Sequence, residues 1–181
     1  MQEIAEEAGV NKALLHYYFR SKERLAEAVF QRAGRLLFPP LIKIFTSDLA
    51  LEEKVQRVVE HELTVLSNHP FLPGYLLCEL NHHPDRTLQL VSTIAGTPLE
   101  AVAPYALEKL SRQIGERVRA GTMRPIAPAQ FFVNLVALCV FPFAARPLMQ
   151  VALGFDQNGF EDFIEERKRS LAEFFLNALR P

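Results

Sequence analysis

Gly9 lies between two short segments with apolar residues at helical spacing, and no other stretch of the chain narrows the fold as much. Ahead of it Ile4, Ala5 and Ala8 mark the inner side of a short helix, which a glycine free to take positive φ can terminate. Val10 then turns the chain inward and a second helix starts at once. Its Leu15 and Phe19 are four residues apart and face one way, while Lys12 and His16, with Ala13 and Tyr17 beside them, face the other. Two helices so close together, the second with a polar outer face, predict a helix-turn-helix. In that arrangement the second helix lies in the major groove of DNA and offers its N-terminal side chains to base edges.

The side chains suit this use. Lys12 is a flexible cation able to reach guanine O6/N7 or a phosphate, and Ala13 and Leu14 can touch only apolar features such as a thymine methyl. Tyr17 and Tyr18 offer hydroxyls to phosphate oxygens, and Lys22 adds charge at a helix N-terminus whose free N–H groups already favour an anion. Between residues 11 and 24, Lys12, Arg20, Lys22 and Arg24 stand against Glu23 alone, which makes a modest basic patch.

In Ile4-Ala5, Ala8-Gly9-Val10, Tyr17-Tyr18-Phe19 and Ser21-Lys22-Glu23, the sequence resembles the N-terminal domain of the TetR (AcrR-type) family of bacterial transcriptional repressors. The resemblance implies base reading by Lys12, Ala13, Leu14 and His16, and phosphate anchoring by Tyr17, Tyr18 and Lys22. His16 departs from the tyrosine common at its position in the family. The family's domain also has a helix ahead of the one that starts here. That difference predicts about twenty further residues upstream, a helix and its connection. Ile4, Leu15, Phe19, Leu25 and Val29 would pack against such a helix. At ~1.5–3 kcal/mol for each fully buried side chain, its loss would rival a domain's ~5–15 kcal/mol stability.

A chain of 181 residues, 49% of them hydrophobic, can bury one sizeable core and carry a small appended domain. Its net charge of −1 is unevenly placed: residues 1–45 hold seven Lys/Arg against five Asp/Glu, and the excess of acid lies in the rest. A body without global affinity for polyanions leaves specific DNA binding to two heads acting together. Cys78 and Cys139 form no CxxC or Cys/His cluster, which predicts reduced thiols in a cytoplasmic protein. The N-terminus has no basic segment leading into an apolar run, so no signal peptide is expected; the apolar run 131–145 is too short for a bilayer and broken by Asn134 and Pro142, so no membrane partner is expected either.

The remaining chain reads as helices throughout. Ser21 is a candidate N-cap for a helix that Pro39-Pro40 should kink or end. Apolar positions 51, 55, 58, 59, 63 and 66 make a stripe over Leu51 to Asn68, followed by segments Phe71 to His82 and Asp85 to Ala95. Thr97 and Pro98 suit an N-cap and first turn, although Pro104 puts the regular helix nearer itself. Phe131 to Phe143 is apolar nearly all round, which predicts burial on more than one side. Gly154 to Gly159 is a predicted turn, Asn158 with Glu161 resembles a capping box, and a final helix carries Phe160, Phe163, Ile164, Leu171, Phe174, Phe175 and Leu179 on one stripe.

The fold expected is therefore all-α: a helix-turn-helix domain with its connecting helix over residues 1–45, then an antiparallel helical ligand-binding and dimerisation domain over 46–181. The two aromatic C-terminal helices hold more apolar surface than so small a body can cover, and the resemblance implies that they pair with their copies across a two-fold axis. It also implies a small-molecule effector among the middle helices, for which Phe71, Tyr75, Glu79, Tyr105, Phe132 and Asn134 are candidate contacts. His61, His69, His82 and His83 have no ligand spacing for a metal, no cofactor is implied, and no nucleophile elbow or phosphate loop supports an enzyme. The function expected is a dimeric, ligand-responsive repressor on double-stranded operator DNA. The alternative is a helical ligand-binding or interaction module without DNA-binding activity.

Overall fold

A computed structural model describes residues 1–181 as ten helices and no strand. The head holds α1 (Gln2–Glu7), α2 (Lys12–Phe19) and the start of α3 (Lys22–Thr46). The body continues with α4 (Leu51–Asn68), α5 (Leu72–His82), α6 (Pro84–Ala95), α7 (Leu99–Arg119), α8 (Pro128–Ala144), α9 (Arg146–Leu153) and α10 (Gln157–Asn177). In the body, α4 is the central rod, with α3, α7, α8 and α10 packed round it. Its Val55, Val58, Val59, Leu63 and Leu66 are all buried, as the stripe required. No single helix is long and apolar enough to cross a membrane.

Ser21 caps α3 as expected, its hydroxyl accepting from the Arg24 N–H at 3.3 Å. The end expected at Pro39-Pro40 does not occur, for α3 runs through both prolines to Thr46. They deprive the Arg35 and Leu36 carbonyls of helical donors, but both residues are exposed and water can serve there. Leu37 and Phe45, on either side of the prolines in sequence, are buried in the core and anchor both halves to it. The His61 ring nitrogen, 3.1 Å from the Leu37 carbonyl, adds a tie to α4 just before the prolines.

The C-terminus of α3 is held by two lysines. Lys54 Nζ donates to the Phe45 carbonyl at 3.1 Å, and Lys109 Nζ donates to the Thr46 carbonyl and to Asp48 Oδ1, both at 2.7 Å. Cations at this end complement the helix dipole while satisfying carbonyls left without partners. At the other side of α3, Gly34 lets α6 come close, because a Cβ there would stand 3.2 Å from Ile94 Cδ1. Arg86 of α6 adds an ion pair to Glu27 of α3 at 2.7 Å.

Three local expectations are corrected. Helix α7 begins at Leu99 with Pro98 as its N-cap, in place of Thr97, and it contains Pro104. Pro104 would have donated to Glu100, which is in the first turn and exposed, so the missing bond does not displace the helix start. The Asn158 capping box is replaced by Asp156, whose side chain accepts from the Gly159 N–H at 2.7 Å. Between α8 and α10 lies the short helix α9, opened by a proline in its first turn and closed by Gly154 at φ +70°.

Candidate nucleic-acid interface and effector cavity

The turn between α1 and α2 is built by backbone and one side chain. Gly9 takes φ +64°, the Val10 N–H returns to the Ala5 carbonyl at 2.9 Å, and Asn11 caps α2 by accepting from the Ala13 N–H at 2.8 Å. None of the α2 residues is fully buried. Leu15 and Phe19 are half-buried, and the rest of the helix surface is open. Lys12 with His16, Ala13 with Tyr17, and Leu14 with Tyr18 form three ridges of residues one turn apart, all exposed. Tyr17 and Tyr18 are 77% and 71% exposed, with their rings edge-to-face at 5.3 Å. Two aromatic rings held outward on a helix with an open polar face are placed for contact with another molecule.

Lys22 is the first residue of α3 and is also exposed, so the structure brings it beside the end of α2. The intervening Arg20 takes φ +62°, the only positive φ outside glycine. Its N–H donates to the His16 carbonyl at 3.0 Å, and its own carbonyl stands 3.2 Å from His16 Nδ1. This corner aims an exposed arginine, which sequence reasoning had counted only as charge. The Ser21 hydroxyl beside Glu23 holds that carboxyl below its ordinary value, keeping one anion within the basic patch.

The expected effector residues do not converge. Phe132 lines an apolar cavity of about 370 Å³ enclosed by α3, α4, α5, α7 and α8, with Leu37, Phe45, Leu76, Leu107 and Val140 among its walls. Phe71 and Tyr75 line a separate surface cleft of about 450 Å³ against Val29 and Phe30 of α3. Tyr75 stacks 5.3 Å from Phe30, and burial raises its phenol above the usual range. Glu79, Tyr105 and Asn134 line neither space, and Tyr105 and Asn134 are exposed.

The polar group inside the apolar cavity is Glu62, which sequence reasoning missed. It is 2% exposed, and burial pushes its carboxyl up to about 8 although the Cys139 thiol stands in hydrogen-bonding reach. Burial likewise raises the thiol. The signal was present in the sequence: position 62 lies four residues from Val58 and from Leu66, on the apolar face of α4, where an acid has no structural use.

An all-α chain with an open helix-turn-helix at one end has the architecture of the DNA-binding regulators. The comparisons agree. Residues 1–29 match the model of bacterial regulatory proteins, tetR family. The HTH-type transcriptional regulator RutR of Escherichia coli (strain K12) is 24% identical over 186 residues, an alignment spanning all of this chain and 81% of the relative. The same figures hold for RutR of Shigella flexneri. Together with the head geometry, these matches make the chain similar to TetR-family transcriptional regulators, most directly over the helix-turn-helix of its first 29 residues.

Proposed function

We propose that the protein is a dimeric repressor that reads an operator half-site with α2 and is released from DNA by a small molecule bound in the body. In this reading residues 1–45 form the DNA-binding head and connecting helix, and 46–181 the ligand-binding and dimerisation body. Lys12, Ala13, Leu14 and His16 meet base edges, and Tyr17, Tyr18 and Lys22 meet phosphates. The observation that carries this proposal is the outward face of α2, where all of the first six of these side chains are exposed on one short helix. A regulator of this kind works in the cytoplasm beside its DNA, and its relatives are named as regulators rather than enzymes.

Release is explained by the continuity of α3. Its first residue lies in the head, and Leu37, Leu41 and Phe45 near its other end form a wall of the apolar cavity. An effector wedged against that wall shifts α3, and the head moves with it. The Arg86–Glu27 ion pair ties α6 to the same lever. A tenfold loss of DNA affinity needs only ~1.4 kcal/mol of preference for the shifted state.

Dimerisation is supported by apolar side chains that the single chain leaves uncovered. Val133 and Phe141 share an exposed stripe of α8, and Phe174 on α10 is 63% exposed. Apolar surface of this extent on the helices named for pairing suits a C2 interface. Two heads then meet half-sites ~34 Å apart, doubling the phosphate contacts of one. A gel-shift with the DNA upstream of the protein's own gene tests the proposal. Salt-sensitive, sequence-preferring binding is expected; its absence would leave the alternative of a helical ligand-binding module.

A further inference from the structure

Glu62 poses a chemical problem that its protein neighbours do not solve. Its Oε2 is buried and has no hydrogen-bond partner, while the cavity around it is lined by 21 residues of which 18 are apolar. Native proteins seldom leave such an atom unpaired, because a buried polar group without a partner loses its hydration and gains nothing. The only other hydroxyl in the lining, on Thr46, is turned back to the Ile42 carbonyl at 2.8 Å.

We propose that the cavity takes an uncharged, mainly apolar molecule whose single hydrogen-bonding oxygen is received by Glu62. This deepens the effector reading above and rests on it. The charge assignment follows from what surrounds the carboxyl. No cation lines the cavity, so an anionic ligand would be buried unpaired. On the elements packed against α4, the groups nearest Glu62 are the Cys139 thiol of α8 and, beyond it, Arg167 of α10, whose Nη2 donates instead to the Leu138 carbonyl at 2.9 Å. Lys109 of α7 is directed to Asp48, and α3 offers only Thr46. With burial raising its pKa to about 8, Glu62 keeps its proton at neutral pH and can donate it in a hydrogen bond to a ketone, ester or ether oxygen. An amine would instead have to take that proton and bury the resulting ion pair, at the cost of hydrating neither ion.

The test uses three probes of similar chain length, methyl nonyl ketone, decylamine and decanoate, titrated calorimetrically into the full chain and into Glu62→Gln and Glu62→Leu. Thermal unfolding confirms that each variant is folded. The ketone is expected to bind best, to be kept by Glu62→Gln, whose amide also donates, and to be weakened about tenfold by Glu62→Leu, which leaves its oxygen unpaired. Its affinity should be level around neutral pH and fall as Glu62 ionises above pH 8. Preference for decylamine, lost in Glu62→Gln and increasing with pH toward 8, would overturn the ligand class while leaving the effector cavity standing. Ketone binding indifferent to Glu62→Leu would overturn the role of Glu62. Binding of none of the probes would overturn the inference together with the cavity reading.

Discussion

Along its 25 residues α3 joins two regions built on opposite terms. The helices α1 and α2 contribute one buried residue, Ala5, whereas α3 and the body together enclose a continuous core of 25 buried side chains. In the head, Ile4, Leu15, Phe19 and Leu25 are only half-buried and Val29 is exposed. The body spends its apolar residues on rigidity; the head keeps the short helix α2 open and leans on α3 for position. The proposed function accounts for the difference: a surface that touches a duplex cannot also be packed, and a lever that transmits a ligand's effect must be stiff over the length that touches the ligand.

The comparison breaks most visibly if the two regions respond alike to truncation. Phe131→Ala removes a fully buried ring packed edge-to-face on Phe175 at 5.1 Å and should cost ~3–5 kcal/mol in denaturant unfolding. Loss of under ~1 kcal/mol would mean that the core is loosely packed. Next in size is the effect of pH through Glu62. Below the ordinary carboxylate value of 4.5 it is protonated folded and unfolded alike; from there to about 8 unfolding releases a proton, so its contribution to stability falls as pH rises. Glu62→Gln should remove that slope, gaining on the parent protein by an amount on the order of a few kcal/mol between those limits. Parallel stability curves for the two proteins would contradict a buried neutral acid.

Smaller effects belong to the head. Arg20→Gly relieves a positive φ and should stabilise by about 1 kcal/mol, while weakening DNA binding if the guanidinium reaches a phosphate. Differential scanning calorimetry and a gel-shift on the same sample separate the two. Val29→Ala, at a side chain 59% exposed, should change stability by less than ~0.5 kcal/mol. A large loss there would show that the head has packing not visible in a single chain.

Periodicity made the helices legible where one face is buried and the ends carry caps. Leu51–Asn68 forms as read because its stripe faces one core and His69-Pro70 stops it. The same logic failed at Pro39-Pro40 and Pro104, since a proline's cost is local and packing on either side can outweigh it. It also failed at Asp156, because two capping residues two positions apart compete and only the fold decides between them. In the head, exposure follows from helix phase alone, so Lys12, His16 and Tyr17 could be placed from sequence. The cavity could not, because its walls come from five helices and depend on crossing angles that no local pattern encodes.

The most direct measurement is a titration of the protein with duplex DNA from upstream of its own gene and with a scrambled duplex, at several salt concentrations, for the parent chain, Lys12→Ala and Lys22→Ala. If α2 reads bases, Lys12→Ala narrows the gap between the two duplexes by ~1–3 kcal/mol, while Lys22→Ala weakens both alike and lowers the salt slope by about one. Equal affinity of the parent chain for both duplexes, or indifference to Lys12→Ala and Lys22→Ala together, would contradict a recognition helix at residues 12–19.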